Sequence, residues 1–452
     1  MSQPRGSTDT IFAPATGAGR AAIAVIRISG PGSRHVCQRL TGRSVPPPRR
    51  AALRRLVDPG DREQLDQGLV LWFPAPESFT GEDMLELQVH GSRAVLAGLL
   101  DALAAMPGLR PAEAGEFSRR AFVNGRIDLT GVEALADLIA AETRAQARQA
   151  LRQLDGELGR LYDAWRERLL VGLARLEAEI DFAAEEEVPE GLVDDVRQDV
   201  VALSAEIAGH LADDRGERLR EGLTVAVVGA PNVGKSSLVN RLARRDVAIV
   251  TARPGTTRDV LEVHLDLGGY PVTLLDTAGL REAADEIEAE GVRRARQRAA
   301  SADLKLVLLD ATTWPETDAA SLALIDDDAL IAINKADLVN PPRRPELCGR
   351  PALVLSCKTG AGLARLLAVL EEKAGQCLAG AEGPLLTRSR HRAALRDAAD
   401  ALARFAGAPP GTELALLAED LRLATRALGR ITGAVGVEDL LDRIFSEFCI
   451  GK

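Results

Sequence analysis

Leu223-Thr224-Val225-Ala226-Val227-Val228-Gly229-Ala230-Pro231-Asn232-Val233-Gly234-Lys235-Ser236-Ser237 decides how the rest of the chain is read. An apolar run of strand type leads into G-x-x-x-x-G-K-S, and the helical-looking Ser237-Leu238-Val239-Asn240-Arg241-Leu242 follows. Glycines let the backbone turn tightly and aim N–H groups at phosphate oxygens, while the helix N-terminus adds positive potential. Lys235 is placed for the outer phosphates and Ser236 offers its hydroxyl to Mg²⁺. A chance glycine-rich turn would not have a strand before it and a helix after it.

The base is read further along. Ala329 to Ile333 ends in Asn334-Lys335-Ala336-Asp337, the N-K-x-D arrangement found after a strand in GTP-binding proteins. A carboxylate there accepts from both guanine N1–H and the exocyclic amine, donors that adenine does not present in that pattern. Alone the motif is a weak signal; after a phosphate loop it selects GTP over ATP.

Three more loops complete the set. Between the phosphate loop and the next strand lies Thr251-Ala252-Arg253-Pro254-Gly255-Thr256-Thr257-Arg258-Asp259, where a threonine joins Mg²⁺ once γ-phosphate is present. Asp276-Thr277-Ala278-Gly279 ends the strand Thr273 to Leu275: Asp276 reaches Mg²⁺ through water and the Gly279 N–H reaches the γ-phosphate. Ser356-Cys357-Lys358-Thr359-Gly360 braces the guanine from the other side. Leu280 stands where many GTPases place a water-orienting glutamine, so water must be positioned from elsewhere, and Glu282, Asp285, Glu286 and Glu288 follow closely. The side-chain oxygen of Asn232 is suited either to ligate a cation near the phosphates or to brace the loop; the spacing leaves both open.

The 452 residues suffice for about three domains. No apolar run reaches the length of a membrane helix and no secretory layout opens the chain, so a cytoplasmic protein is expected. Five cysteines, at 37, 348, 357, 377 and 449, lack metal-type spacing. A net charge of −10 argues against a protein that coats nucleic acid by charge alone. The local clusters Arg293-Arg294-Ala295-Arg296-Gln297-Arg298 and Arg388-Ser389-Arg390-His391-Arg392 read first as solvated helix faces.

Around this nucleotide unit, expected from Glu217 to Leu378 as a parallel α/β sheet, the pattern changes twice. From Thr10 to about Arg126 the pattern is mixed, strand-like runs among turns with one or two helices: Ala22 to Ser29 and Met84 to His90 alternate, with Leu85, Leu87 and Val89 on one face. Arg27 and Glu86 on such faces read, from the residues alone, as a salt bridge. Pro46-Pro47-Pro48 and the polar stretch to Asp66 read as a loop between strands. Leu151, Leu154, Leu158, Leu161, Trp165, Leu169, Leu173, Leu176 and Ile180 then form one stripe of a long helix. After Glu185-Glu186-Glu187 and Pro189 the stripe resumes from Val193 to Leu211, predicting an antiparallel helix pair. Helical spacing returns from Leu414 to Phe448, so helical chain brackets the α/β unit and its two parts should bury each other's stripes.

The segments AGEFSRRAFVNGRIDL (114–129), GAPNVGKSSL (229–238), PGTTRDV (254–260), DTAGLRE (276–282) and FSEFCIGK (445–452) closely resemble the MnmE (TrmE) family of tRNA modification GTPases. The resemblance runs from Ile11 to Lys452. It implies a multidomain α and β protein: an N-terminal α+β tetrahydrofolate-binding domain (1–126), a helical domain in two parts (127–216 and 379–452) and an inserted α/β P-loop GTPase domain (217–378). The family works as a homodimer, forming a heterotetramer with the flavin-dependent MnmG, to install aminomethyl or carboxymethylaminomethyl groups at C5 of wobble uridine in tRNA. Its implied cofactors are GTP, Mg²⁺, K⁺ and a 5-formyl or 5,10-methylene tetrahydrofolate. By matching positions Asn232, Thr251, Thr256 and the Arg253 backbone surround K⁺ where two GTPase domains meet, Ser236 and Thr257 hold Mg²⁺, and Glu288 acts through a water. Nucleotide contacts are implied at Val233, Gly234, Lys235, Ser237, Ala252, Pro254, Gly255, Thr277, Ala278, Lys335, Asp337, Cys357 and Lys358 as well. Folate contacts fall on Arg27, Glu86 and Arg126, with Lys452 nearby, which displaces the salt-bridge reading. Arg126 replaces the usual lysine, keeping charge but changing hydrogen-bond geometry, and Ala114 replaces a usual proline. Cys449 is implied to act near the folate pocket, and Lys452 as last residue disfavours prenylation. The rival reading is a switch that binds ribosome or RNA and uses GTP only to change partner affinity.

Overall fold

The computed structural model describes residues 9–17, 19–181, 192–245, 247–249, 262–276, 302–317, 319–323, 325–326, 328–339, 345–378, 380, 383–436, 441–442, 444–445, 448 and 451. They form two compact units, one of Met1–Ala136, Leu154–Arg197 and Arg404–Lys452, the other of Asp137–Gln153 and Gln198–Ala403.

Alternating apolar residues build the sheet of the first unit. Its strands are β1 (Thr10–Pro14), β2 (Ala21–Ser29), β3 (Ala52–Val57), β4 (Gln64–Phe73), β5 (Met84–Gly91) and β6 (Leu109–Pro111), in the order β3-β4-β5-β2-β1-β6. All neighbours are antiparallel except β1 and β6. Leu85, Leu87 and Val89 are buried as their spacing predicts, in one core with Ile26, Ile28, Val70 and Trp72. The helices Ser33–Thr41 and Arg93–Ala104 close that core with Val36, Leu40, Leu99 and Leu103. The stretch expected as a loop before Asp66 contains β3. This edge strand carries Arg54 and Arg55 between Leu53, which is exposed, and Leu56, which is buried, so its period is diluted.

In the same unit the helices Glu157–Asp181 and Leu414–Thr432 pack along each other, bringing together Trp165, Leu169 and Leu176 with Leu417, Leu421 and Leu428 as buried residues. A Cβ on Gly172 would stand at ordinary contact distance, 3.6 Å, from Leu421, and closer, 3.3 Å, to Val196 of the helix Leu192–Ala212. Two expectations change here. The stripe beginning at Leu151 is not one helix: Arg144–Leu154 ends before Gly156, whose φ of +84° suits a residue without a Cβ, and Leu151 is exposed. The main partner of Glu157–Asp181 is also Leu414–Thr432 rather than the next helix, Leu192–Ala212. Helical spacing shows that a face needs burying but does not name its partner.

The second unit holds β7 (Leu223–Val228), β8 (Glu262–Leu267), β9 (Tyr270–Asp276), β10 (Leu304–Asp310), β11 (Leu330–Asn334), β12 (Glu346–Leu347) and β13 (Arg350–Val354), in the order β12-β13-β11-β10-β7-β9-β8. The five central strands are parallel and both edges antiparallel. Parallel strands are covered on both faces and so read as continuous apolar runs. Here Leu306 and Leu308 enter one core with the helix Leu363–Leu378, while Val307 and Leu309 enter another with Ile331 and Ile333. The incoming and outgoing chains lie side by side: a Cβ on Gly216 would stand 2.2 Å from the Leu386 carbonyl. The cluster Arg388 to Arg392 helps fix them. Arg388 pairs with Asp137 at 2.6 Å, and Arg392 with Glu217 at 2.6 Å, so these two side chains are structural rather than solvated.

Candidate functional site

In a parallel sheet the carboxyl ends of the strands form the binding edge, because there the loops leave the sheet together. β7 ends at the phosphate loop, β9 at Asp276, β10 at Asp310, β11 at Asn334, and Ser356 follows β13. The motifs that are far apart in sequence therefore share one edge.

The phosphate loop is shaped by positive φ angles: +140° at Gly229, +63° at Asn232 and +103° at Gly234. A Cβ on Gly229 would lie 2.2 Å from the Leu308 carbonyl, and one on Gly234 would lie 2.3 Å from Asn334 Nδ2. Both glycines are thus required by close approach as well as by conformation. Gly234 caps the helix Lys235–Leu242, whose first turn faces the loop. Lys235 is buried, and its ammonium donates to the Gly229 and Ala230 carbonyls, each at 2.9 Å. Ser236 is half-buried and Ser237 exposed, and Asn232 is exposed, available to a cation or to solvent.

Asn334 is the tie between phosphate and base loops. Its amide donates to the Val233 carbonyl at 2.8 Å, and its oxygen accepts from the Cys357 N–H at 2.9 Å. Asn334 is buried, so its amide satisfies the buried Val233 carbonyl and the partly buried Cys357 N–H at once. Ser356 donates to Asp337 at 2.6 Å, and that bond, with Lys358 at 3.9 Å, holds the carboxyl below its usual range. An ionised Asp337 is an acceptor only, as guanine recognition requires. Burial pushes the Cys357 thiol up to about 11, which leaves it protonated and unreactive.

One further carboxylate joins this edge without a motif of its own. Asp310, at the end of β10, pairs with Lys335 at 2.6 Å. Burial pushes Asp310 upward, but Lys335 and Thr312 together hold it below the ordinary carboxylate value. The pair lays the Lys335 stem beside the base loop, where its own φ of +66° turns the chain. It closes the strand-like run Leu304 to Leu309, and a lone carboxylate there has no motif spacing to mark it.

In the first unit, Arg27 and Glu86 face each other directly across β2 and β5. They form an ion pair at 3.0 Å with both side chains largely shielded, as the residues alone had suggested. The Arg27 guanidinium lies 5.5 Å from the Phe79 ring and 5.8 Å from the Phe117 ring. Arg126 is joined to the same loop as Phe79, with Glu77 at 3.6 Å and its stem against Gly81. The calls on Thr251, Ala252, Arg253, Pro254, Gly255, Thr256, Thr257, Thr277, Ala278, Gly279, Glu288, Cys449 and Lys452 fall outside the described residues.

Residues 10–126 match the family described as GTP-binding protein TrmE N-terminus, and residues 129–449 match the MnmE helical domain. A protein of Paramagnetospirillum magneticum named tRNA modification GTPase MnmE is 56% identical over 98% of this chain and 100% of its own length. The human mitochondrial 5-taurinomethyluridine-[tRNA] synthase subunit GTPB3 is 51% identical over 99% of this chain and 94% of its own. Among solved structures, the G domain of the T. maritima FeoB iron transporter is 28% identical over 34% of this chain and 98% of that one, at a TM-score of 0.25, too slight a likeness to carry an argument.

Proposed function

This chain belongs to the MnmE (TrmE) family of tRNA modification GTPases, and we propose that it couples GTP hydrolysis to modification of C5 of wobble uridine in tRNA. The observation that carries the nucleotide half is the Asn334 tie, which sets phosphate loop and guanine-reading Asp337 in one frame. A nucleotide seated there meets N–H groups and Lys235 at its phosphates and a carboxylate at its base.

The donor set fits two hard cations. Ser236 and Thr257 supply hydroxyl oxygens for Mg²⁺, and the Asn232 amide, with Thr251, Thr256 and the Arg253 carbonyl, supplies neutral oxygens for K⁺. Bound there, the cations would offset charge developing on the transferring phosphoryl group. Leu280 has no polar group to orient water, and Glu288 takes that part in this reading. Two chains bring their GTPase domains (217–378) together to complete the K⁺ site.

The N-terminal domain (1–126) supplies the one-carbon unit in this reading. Arg27, Glu86 and Arg126, with Lys452, offer both donors and acceptors to a tetrahydrofolate derivative, and Cys449 acts at that pocket in this reading. The helical domain, 127–216 with 379–452, carries the inserted GTPase, and a flavin-dependent MnmG-type partner joins the homodimer in the cytoplasm.

Steady-state GTP hydrolysis in K⁺ against Na⁺ at matched ionic strength tests the proposal. Stimulation by K⁺ of about tenfold or more is expected, the scale on which one well-placed charge acts on a transition state. Equal rates would remove the K⁺ role of Asn232 and favour a switch that uses GTP only to change partners.

A further inference from the structure

Asp137–Gln153 groups with the seven-stranded sheet although the chain on either side belongs to the other unit. Its helix, Arg144–Leu154, buries only Ala150 and Gln153. A helix that covers so little apolar surface is positioned by its polar contacts. Gln146 donates to the Arg220 carbonyl at 3.0 Å and Gln149 to the Gly216 carbonyl at 3.1 Å, which ties it to the helix Arg215–Glu221 that leads into β7. Thr387 and Gln153 meet at 3.1 Å.

At its other end the segment grips the β8–β9 hairpin. Ala145 N–H donates to the Gly269 carbonyl in the turn at 3.2 Å, and Glu142 lies 3.3 Å from His264 Nδ1. His264 is the informative partner. Its carbonyl accepts from Ile249 N–H at 2.9 Å, and Asp266 N–H donates to the Val247 carbonyl at 2.8 Å. The backbone immediately before residues 251–259 is therefore hydrogen-bonded to the strand whose side chain reaches Glu142. The hairpin's other strand ends on Asp276.

We infer that Asp137–Gln153 is a strap that reads nucleotide state through His264 and passes it on. The inference rests on the proposed nucleotide site, in which residues 251–259 and Asp276 respond to γ-phosphate. Any shift at the root of that loop displaces β8, and with it the Glu142–His264 and Ala145–Gly269 contacts. Beside Ala145, Gln146 ties the Glu142 and Thr143 backbone to the Arg220 carbonyl, and Gln149 holds the next turn to Gly216, so the shift strains the strap against the helix Arg215–Glu221 instead of carrying it along. Coupling of this kind is reciprocal: a changed strap alters nucleotide affinity by the factor with which nucleotide alters the strap.

Hydrogen exchange of residues 144–154 in the full-length chain, with GDP and with a non-hydrolysable GTP analogue, tests this beside fluorescent GTP binding. Exchange should differ between the two states by about fivefold or more. Glu142→Gln and His264→Gln should each shrink the difference clearly, and the double variant should be no worse than either, because both remove the same contact and leave the Ala145–Gly269 backbone bond. Gln149→Ala loosens one anchor and leaves the Gln146 bond, and should keep a difference. A chain that binds both nucleotides yet shows equal exchange overturns the strap, as does a difference that survives both contact variants undiminished or vanishes in Gln149→Ala. Failure to bind fluorescent GTP at all overturns the nucleotide site itself, and the strap with it.

Discussion

The phosphate loop and the Arg27–Glu86 pair both fix charged side chains, Lys235 from the start of a helix and the pair from strands, but they are held by different means. At the loop, Lys235 and Asn334 bond mainly to backbone, and glycines with positive φ leave no room for another residue. At the pair, two side chains meet across ordinary antiparallel strands, and the backbone would accept many residues. A site built on backbone geometry forces a spacing on the sequence, whereas a site built on a cross-strand pair leaves only two charges among many.

The sharpest way to break that contrast is Gly229→Ala. The added Cβ would stand 2.2 Å from the Leu308 carbonyl at a φ of +140°. Backbone strain and overlap together should cost about 3 kcal/mol or more and abolish nucleotide binding. Wild-type melting temperature with unchanged GTP affinity would show that the loop relaxes freely and that the glycine spacing is not forced by packing.

Asn334→Ala should do less, but more than a typical surface change. It strands the buried Val233 carbonyl and the partly buried Cys357 N–H. Two such losses amount to roughly 2–4 kcal/mol in denaturant unfolding, and the GTP affinity should fall with them. A stability loss under about 1 kcal/mol would mean that water enters and replaces the amide.

These differences also explain what could be read in advance. The order β7, loop, helix was legible because Gly229 and Gly234 have no ready substitutes in their conformation, and Lys235 follows them at a fixed spacing. Lys335 was legible as part of N-K-x-D, but its partner Asp310 was not, since a lone carboxylate at a strand end carries no spacing. The strand β3 was hidden because Arg54 and Arg55 stand on an edge, where period and burial are both weak. The break at Gly156 was hidden for a different reason: Leu151 and Leu158 keep helical spacing across it, and a periodic stripe does not record a turn that preserves its phase. Which helix meets Glu157–Asp181 depends on chain more than two hundred residues away, beyond any local pattern.

Glu86→Gln is the mildest change and the one that decides what the Arg27 pair is for. Gln keeps the shape and one acceptor but removes the charge facing Arg27 at 3.0 Å. Because both side chains retain some contact with solvent and Arg27 also rests against Phe79 and Phe117, stability should fall by no more than about 1 kcal/mol. If the pair serves only to join β2 to β5, titration with 5-formyltetrahydrofolate will give the same heat for both proteins. If it is a ligand site, the affinity of the variant should drop by about tenfold or more, the loss expected when a charge-assisted hydrogen bond is removed, while unfolding is barely altered. A large stability loss with unchanged binding would reverse the comparison, making the cross-strand pair the structural element and leaving the folate contact to other residues.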